Sequence, residues 1–122
     1  MSGTKPGAGF LKAMILVVLV AGCGGRMQKE PIEAKTAEEI FKLGELELET
    51  GKRPKDALVY FQEIERLYPY TEFAKRALIM QAFVLHKTKK YEEARAAAQR
   101  FLDFYPDDED AAYAQYLLAL SY

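Results

Sequence analysis

The amino-acid sequence predicts an all-α fold, a helical solenoid of tetratricopeptide (TPR-like) type with two repeats and the first helix of a third. From residue 36 to residue 122, apolar residues recur at helical spacing, and no stretch alternates in the manner of a β-strand. Ala57 and Pro69 return as Ala94 and Pro106, 37 residues later in both cases. That offset is close to the repeat of about 34 residues in tetratricopeptide proteins. A generic helical bundle with incidental periodicity is the alternative.

The first 22 residues have the pattern of a secretory signal peptide. Lys5 and Lys12 form its positive flank. The apolar run 13–21 is about half as long as the roughly 20 residues that cross a membrane. Glycines at positions 22, 24 and 25 end the run. We therefore expect this segment to be cleaved and not to remain as a membrane span.

The sequence around the only cysteine, Leu-Val-Ala-Gly-Cys at 19–23, resembles the lipobox of bacterial lipoproteins. This resemblance implies that Cys23 receives a diacylglycerol, that the chain is cut before it, and that its new amine receives an acyl chain such as palmitate. A thiolate is a good nucleophile for thioether formation, and several acyl chains anchor a protein stably. Gly24 follows in place of an Asp, which implies the outer membrane as the destination. An ordinary secretory signal with an incidental cysteine is the alternative.

Residues 23–35 are predicted to form the lipidated cysteine and a flexible tether, and residues 36–122 to form the repeat domain. The tether mixes Gly, Pro and charged residues without apolar periodicity, and it could reach roughly 40 Å if extended. Thr36 followed by Glu39 has the pattern of a helix N-cap with a capping box. The first helix is therefore expected to begin there.

Turn residues divide the repeat domain into five predicted helices. Gly51 and Pro54 separate the first helix from the second, since proline suits the first helical turn. Tyr68-Pro69 ends the second helix, and Thr71 caps the third. The remaining boundaries are a polar turn at 87–90, the end of the fourth helix near Tyr105-Pro106, and a capping-rich acidic turn at 107–110.

The fifth predicted helix, from Ala111 to Tyr122, has an apolar face and no partner helix after it. Helical solenoids normally finish with a polar cap. We therefore expect that the chain is a truncated fragment. Association with another protein at this face is the alternative.

Composition argues against several classes of function. Lys and Arg number 17, Asp and Glu number 18, and the net charge is -1, so a nucleic-acid partner is not expected. One histidine and one cysteine make an intramolecular disulfide or a zinc site of the usual ligands unexpected. His86 and Ser121 have no catalytic partner near them in the sequence. We expect a non-enzymatic protein without a cofactor apart from the lipid on Cys23.

Two segments resemble the BamD family, the lipoproteins of the outer-membrane β-barrel assembly machinery. Residues 66–77, which begin Arg-Leu-Tyr-Pro-Tyr, resemble the join between the first two repeats of that family. Residues 94–122, with Arg-Phe-Leu at 100–102 and Tyr-Ala-Gln-Tyr-Leu at 113–117, resemble the second join and the third repeat. Asp108-Glu109 departs from the His-Pro that the family often has there. The family continues for two or three more repeats, which hold much of the contact with the barrel insertase.

This resemblance implies a function in assembling and inserting β-barrel proteins, from a lipid anchor on the periplasmic face of the outer membrane. The implied partners are the barrel-insertase subunit, other lipoproteins of the complex, outer-membrane lipid and the C-terminal segments of unfolded barrels. A periplasmic repeat scaffold that coordinates envelope constriction, similar to the TolA-binding protein, is the main alternative. An envelope hydrolase with a downstream catalytic domain is the second alternative.

The repeat pattern also predicts a peptide-binding groove on the first helix of each unit. Aromatic side chains beside cations suit an extended peptide with an aromatic, carboxylate-bearing end. The alternative is that these aromatic side chains pack between neighbouring helices. The expected lining residues are Glu38, Phe41, Glu45 and Glu49 from the first unit, Arg76, Ile79, Phe83, His86 and Lys87 from the second, and Tyr113, Tyr116 and Leu120 from the third.

Overall fold

The computed structural model describes residues 30–122, so the predicted signal peptide, the lipobox with Cys23, and most of the tether lie outside the described residues. Within residues 30–122 the chain is helical and contains no strand, which confirms the all-α, TPR-like prediction. None of the helices in this range is long and apolar enough to cross a membrane. In order they are a short 3-10 helix, Ile32–Ala34, and then α1 (Ala37–Thr50), α2 (Pro54–Leu67), α3 (Glu72–Lys87), α4 (Tyr91–Phe104) and α5 (Ala111–Leu120).

Capping hydrogen bonds set the starts of α1 and α3, and a proline sets the start of α2, at the predicted residues. The Thr36 hydroxyl accepts a bond from the Glu39 N–H at 3.3 Å, and the Glu39 carboxylate accepts one from the Thr36 N–H at 2.8 Å. This reciprocal pair is the predicted capping box. Pro54 is the first residue of α2, and the Thr71 hydroxyl accepts from the Ala74 N–H at 3.1 Å to cap α3.

The fifth helix begins at the predicted residue, Ala111, and ends two residues before the predicted end. Asp110 precedes it without a side-chain capping bond, and the Asp110 N–H donates to the Asp108 carboxylate at 3.0 Å. The helix ends at Leu120 and not at Tyr122. Its last turn closes when the Ser121 N–H donates to the carbonyls of Leu117 and Leu118.

The five helices form two layers. Each helix packs against the next, and α3 also packs against α1 and α5, so α1, α3 and α5 lie in one layer and α2 and α4 in the other. One core cluster surrounds Phe61 and a second surrounds Phe101, both fully buried. Leu58 and Phe83 contact both clusters, which makes the core continuous along the solenoid.

Small residues allow the paired helices to approach closely. A Cβ atom at Gly44 would lie 2.8 Å from the ring carbons Cε1 and Cζ of Phe61. Real Cβ atoms do not approach so closely, so Phe61 fills the space that the missing side chain leaves. Ala94, Ala97 and Ala98 are buried where α4 meets α3 and α5.

The C-terminal part of the expected tether belongs to the folded domain. Ile32, in the 3-10 helix, packs against the first core cluster. The Tyr68 hydroxyl donates a hydrogen bond to the Lys35 carbonyl, and Arg66 lies 3.7 Å from Glu33. Residues 32–35 have no apolar periodicity, which is why the sequence predicts a tether there. One apolar residue and two polar contacts nevertheless attach them to the folded domain.

We predict that Gly44→Ala destabilises the fold by about 1–2 kcal/mol, although the same change in an open helix stabilises by up to about 1 kcal/mol. The physical reason is the overlap with the Phe61 ring. In a Phe61→Leu background the Cε1 and Cζ atoms are gone, so Gly44→Ala becomes neutral or stabilising. Urea unfolding of the four variants, followed by circular dichroism, measures this coupling. An equal gain in stability from Gly44→Ala in both backgrounds would contradict the close contact.

Candidate peptide-binding surface

The layer formed by α1, α3 and α5 carries an exposed guanidinium held on aromatic rings. The Arg76 guanidinium carbon lies 4.4 Å from the ring centroid of Phe41 and 5.7 Å from that of Phe73. The nearest carboxylate is that of Glu45, at 4.0 Å, and the Arg76 side chain is 45% exposed. Stacking fixes the plane of the guanidinium while its N–H groups remain open to solvent. Arg76 can therefore accept a carboxylate in a fixed orientation.

A second cation lies further along the same helix. The Lys87 ammonium lies 5.6 Å from the ring centroid of Phe83, and Phe83 is half-buried between the two core clusters. Arg76 and Lys87 are eleven residues apart on α3, which corresponds to about 16 Å along the helix axis. We call Arg76, Phe83 and Lys87 the α3 stripe.

Two exposed tyrosines lie on α5, which packs against α3. The rings of Tyr113 and Tyr116 stack with their centroids 6.2 Å apart. Partial burial, with a smaller contribution from Tyr116, raises the pKa of the Tyr113 phenol, so the Tyr113 hydroxyl remains a neutral donor at physiological pH. Helices α3 and α5 run side by side in the same direction, because contacts join the start and the end of α3 to residues 33 and 35 positions later. This alignment places the tyrosines level with the middle of α3.

Two residues predicted to line the groove are instead part of the core. Phe41 is 3% exposed and packs against Phe61 and Phe73, with ring centroids 5.4 and 5.8 Å apart. Ile79 is 7% exposed and belongs to the second core cluster. The helix pattern alone did not show that α1 and α3 are close enough for these side chains to be covered. Phe41 and Ile79 therefore pack between helices, and the peptide-binding groove stays a prediction.

The acidic residues of α1 and the end of α5 complete the surface. Glu45 is half-buried near Arg76, whereas Glu38 forms an ion pair with Lys42 at 2.7 Å on the same helix. Glu49 is exposed, as is Leu120 at the end of α5. Arg76 is therefore an accessible cation of this surface whose plane is fixed by two aromatic rings.

The fold brings His86 and Ser121 together, although they are 35 residues apart. Their Nδ1 and Oγ atoms lie 3.0 Å apart, and the Ser121 hydroxyl donates to the Leu117 carbonyl at 2.8 Å. The hydroxyl oxygen therefore accepts from the His86 Nδ1–H. Arg95 donates to the Ser121 carbonyl and lies 5.0 Å from the Tyr122 ring centroid.

This histidine–serine pair has the geometry of a structural contact. Ser121 is 1% exposed, and its proton points away from His86, so the pair lacks both the access and the proton transfer that a nucleophile requires. His86 and Arg95 instead fix the end of α5 against α3 and α4. His86, predicted to line the groove, is engaged with Ser121 and with the ring of Tyr91, 5.4 Å away.

An ion pair attaches the second inter-repeat join to α3. The Lys75 ammonium lies 2.6 Å from the Asp108 carboxylate and 3.0 Å from that of Glu72. The bond from Lys75, and then the bond from the Asp110 N–H, hold the pKa of Asp108 below its ordinary value. The same contact with Asp108, followed by that with Glu72, raises the pKa of Lys75. Asp108, which departs from the family pattern, thus has a structural partner.

Within residues 30–122, no group of three His, Cys, Asp or Glu side chains is close enough to hold a metal ion. The polar groups of the surface are single cations, tyrosine hydroxyls and a carboxylate. Such groups bind by hydrogen bonding and charge.

Comparison with known proteins gives one family and several relatives. The model of the YfiO family, described as "Outer membrane lipoprotein", matches residues 33–122. The chain is similar to proteins named "Outer membrane protein assembly factor BamD". It is 33% identical to that of Caulobacter vibrioides over 92% of the chain and 34% identical to that of Rickettsia prowazekii over 93%. It is 27% identical to that of Xylella fastidiosa strain 9a5c over 91% of the chain.

The chain spans less than half the length of these curated relatives. It covers 37% of the Caulobacter protein, 45% of the Rickettsia protein and 38% of the Xylella protein. No solved structure shows a significant match to it.

We predict that Asp108→Asn lowers the melting temperature at neutral pH and that this loss shrinks as the pH falls below about 4. The pKa of Asp108 is lower in the folded state than in the unfolded state, so its carboxylate stabilises the fold above the ordinary value of about 3.9. That stabilisation is lost as the pH falls through the folded pKa. Thermal unfolding at pH 7 and pH 3 measures the two differences.

Asp107→Asn is the matched control, because Asp107 is exposed and forms no salt bridge within residues 30–122. It should leave the melting temperature close to that of the unmodified chain at both pH values. A loss from Asp108→Asn that is the same at pH 3 as at pH 7 would show that the ion pair is not its cause.

Proposed function

Because the chain belongs to the YfiO, or BamD, family of outer membrane lipoproteins, we propose that it is a non-enzymatic component of the β-barrel assembly machinery. Its role is to aid the assembly and insertion of β-barrel proteins into the outer membrane. The names of its relatives, outer membrane protein assembly factors, support this role over that of an envelope-constriction scaffold. The chain spans less than half of the length of those relatives, so this activity and these partners are our proposal for the chain.

The oriented Arg76 guanidinium on α3 is the main support for this role. Arg76 is fixed on Phe41 and Phe73 and remains accessible, as a receptor for a terminal carboxylate requires. The exposed rings of Tyr113 and Tyr116 lie one helix away and offer aromatic contact. The surface therefore suits the C-terminal segment of an unfolded barrel, with its carboxylate on Arg76 and an aromatic side chain towards α5.

The two cations of the α3 stripe differ in what they can recognise. Arg76 presents a planar fork that matches both oxygens of a carboxylate, whereas Lys87 presents a point charge over Phe83. We assign the terminal carboxylate to Arg76 for this reason. Lys87 then attracts acidic side chains elsewhere in the bound segment.

The lipid anchor belongs to the same proposal. A diacylglycerol on Cys23 would place the domain on the periplasmic face of the outer membrane. Because residues 32–35 are packed onto α2, only residues 24–31 separate the anchor from the folded domain. Eight residues span at most about 28 Å, which is shorter than the reach of roughly 40 Å expected from the sequence. The anchor would therefore keep the first repeat near the membrane surface.

Affinity purification of the full-length protein from its own host tests the assembly role. A C-terminally tagged copy, extracted gently from membranes, should bring with it a large outer-membrane barrel with periplasmic domains and other lipoproteins. Recovery of Tol-system or peptidoglycan-synthesis proteins without a barrel insertase would contradict the assembly role. The lipobox variant Cys23→Ser is the control for the anchor, since it should leave the protein unlipidated.

We predict that Arg76→Gln weakens binding of a barrel C-terminal peptide by about tenfold, because a charge-assisted bidentate contact is lost. Fluorescence anisotropy of a labelled peptide with the full chain in detergent micelles measures the affinity. Lys55→Gln, an exposed cation of α2, is the matched control and should have little effect.

Amidation of the peptide C-terminus separates the carboxylate contact from general charge. It should weaken binding to the unmodified chain about as much as Arg76→Gln does, and it should add little to that substitution. Unchanged affinity for the Arg76→Gln variant, or equal losses from Arg76→Gln and Lys55→Gln, would remove Arg76 as the carboxylate receptor.

A further inference from the structure

A second candidate surface lies at the first inter-repeat join, on the other side of α3 from the α3 stripe. A cavity of about 210 Å³ opens there between the end of α2, the start of α3 and the end of α4. It is smaller than the roughly 300–1,000 Å³ of a typical small-molecule site, so its size suits a single large side chain. We call it the join pocket. Its apolar lining consists of Pro69, Tyr70, Ala74, Leu78, Phe104 and Tyr105.

Two large aromatic side chains of the join pocket are exposed to solvent. Tyr70 is 94% exposed and Phe104 is 67% exposed. The floor of the pocket is formed by Ala74 and Leu78, which are buried members of the core. Neither exposed ring contributes much to folding through burial, so the apolar area that they present remains available for a partner.

The backbone at Tyr70 is in an unfavourable conformation. Its φ angle is 67°, in the left-handed region, where an L-residue other than Gly, Asn or Asp is uncommon. A glycine would adopt this conformation without strain. The strain holds an exposed aromatic ring at the rim of a pocket and gives the fold no buried contact in return. Strained residues of this kind concentrate at binding sites.

The charge around the pocket indicates the chemistry of its occupant. Glu65 is the charged lining residue, and its carboxylate is bonded to Arg100 at 3.2 Å and to Gln81 at 2.9 Å. The segment 103–110, which contributes Phe104 and Tyr105, contains five acids and no cation. Within residues 30–122, Asp108 is the one of these acids that forms a salt bridge. The pocket is therefore apolar at its floor, and the segment that supplies Phe104 and Tyr105 carries an excess of negative charge.

We propose that the join pocket binds one aromatic or aliphatic side chain, flanked by Lys or Arg, from an extended segment of a partner protein. The apolar side chain would cover Ala74 and Leu78 between the rings of Tyr70 and Phe104. The flanking cations meet the unpaired carboxylates of segment 103–110 and the faces of the exposed rings. The join pocket prefers a basic segment, whereas Arg76 prefers a carboxylate. One domain can therefore hold two separate extended segments.

Amidated model peptides test the join pocket without engaging the carboxylate receptor. The probe is acetyl-Gly-Lys-Phe-Lys-Gly-amide, added to the full chain in detergent micelles with ¹³C-labelled Ala and Leu methyl groups. The methyl resonances of Ala74 and Leu78 should shift with saturation at millimolar peptide. Acetyl-Gly-Glu-Phe-Glu-Gly-amide should bind about tenfold or more weakly, because its charges are repelled by segment 103–110.

Tyr70→Gly and Phe104→Ala are the informative variants. Each should weaken the lysine peptide about tenfold through loss of an aromatic contact. Tyr70→Gly should also leave the melting temperature unchanged or raise it, because glycine relieves the backbone strain, so a failure to fold cannot explain the lost binding. Val59→Ser, an exposed apolar residue of α2 outside the pocket, is the control and should bind normally.

The outcomes separate this proposal from the assembly role. Arg76→Gln should leave the lysine peptide affinity intact, whatever its effect on the carboxylate peptide. Absence of Ala74 and Leu78 shifts, or unchanged affinity in both Tyr70→Gly and Phe104→Ala, would overturn the join pocket. Equal binding of the lysine and glutamate peptides would overturn its charge preference.

Discussion

The close approach of α1 and α2 around Phe61 is the constraint on which the rest of the first repeat depends. The Phe61 ring packs directly against Gly44. A Cβ atom at position 44 would overlap two of the ring carbons, so a larger residue does not fit there. In the second repeat, Ala82 and Ala98 take the equivalent places, and the large buried ring moves to Phe101. Each repeat thus combines small residues with a large buried ring, because only a small residue lets two helices meet while the ring fills the remaining volume.

This packing also determines which groups of the helices are left for binding. Phe61 and Phe73 pack against the Phe41 ring in the core, and the Arg76 guanidinium lies over this ring at the edge of the core. The packing of the helices thus buries the Phe41 ring and leaves the Arg76 guanidinium exposed. A cation on a fixed aromatic platform loses less side-chain entropy on binding than a free one, which favours Arg76 over the exposed lysines as a receptor.

The inter-repeat joins connect the layers by polar contacts and not by apolar packing alone. Tyr68 binds the Lys35 carbonyl at the first join, and Asp108 binds Lys75 at the second. His86 and Ser121 make the corresponding contact at the other end of α3 and α5. These contacts join residues 33 to 35 positions apart, close to one repeat, so they set the position of each unit relative to the next. The join pocket, with its strained Tyr70, lies where two such joins meet.

The helices, most of their ends and the repeat could be predicted from the sequence, because capping, proline geometry and 3.6-residue periodicity act within a few residues of each other. The sequence also carried the resemblance through which the family was identified. The folded arrangement of the helices was needed to show that Phe41 and Ile79 are buried and that Arg76 remains exposed. It likewise paired His86 with Ser121 and formed the join pocket. The physical reason is that burial and pairing depend on how far apart neighbouring helices lie, and side chains a full repeat apart in the chain set that distance.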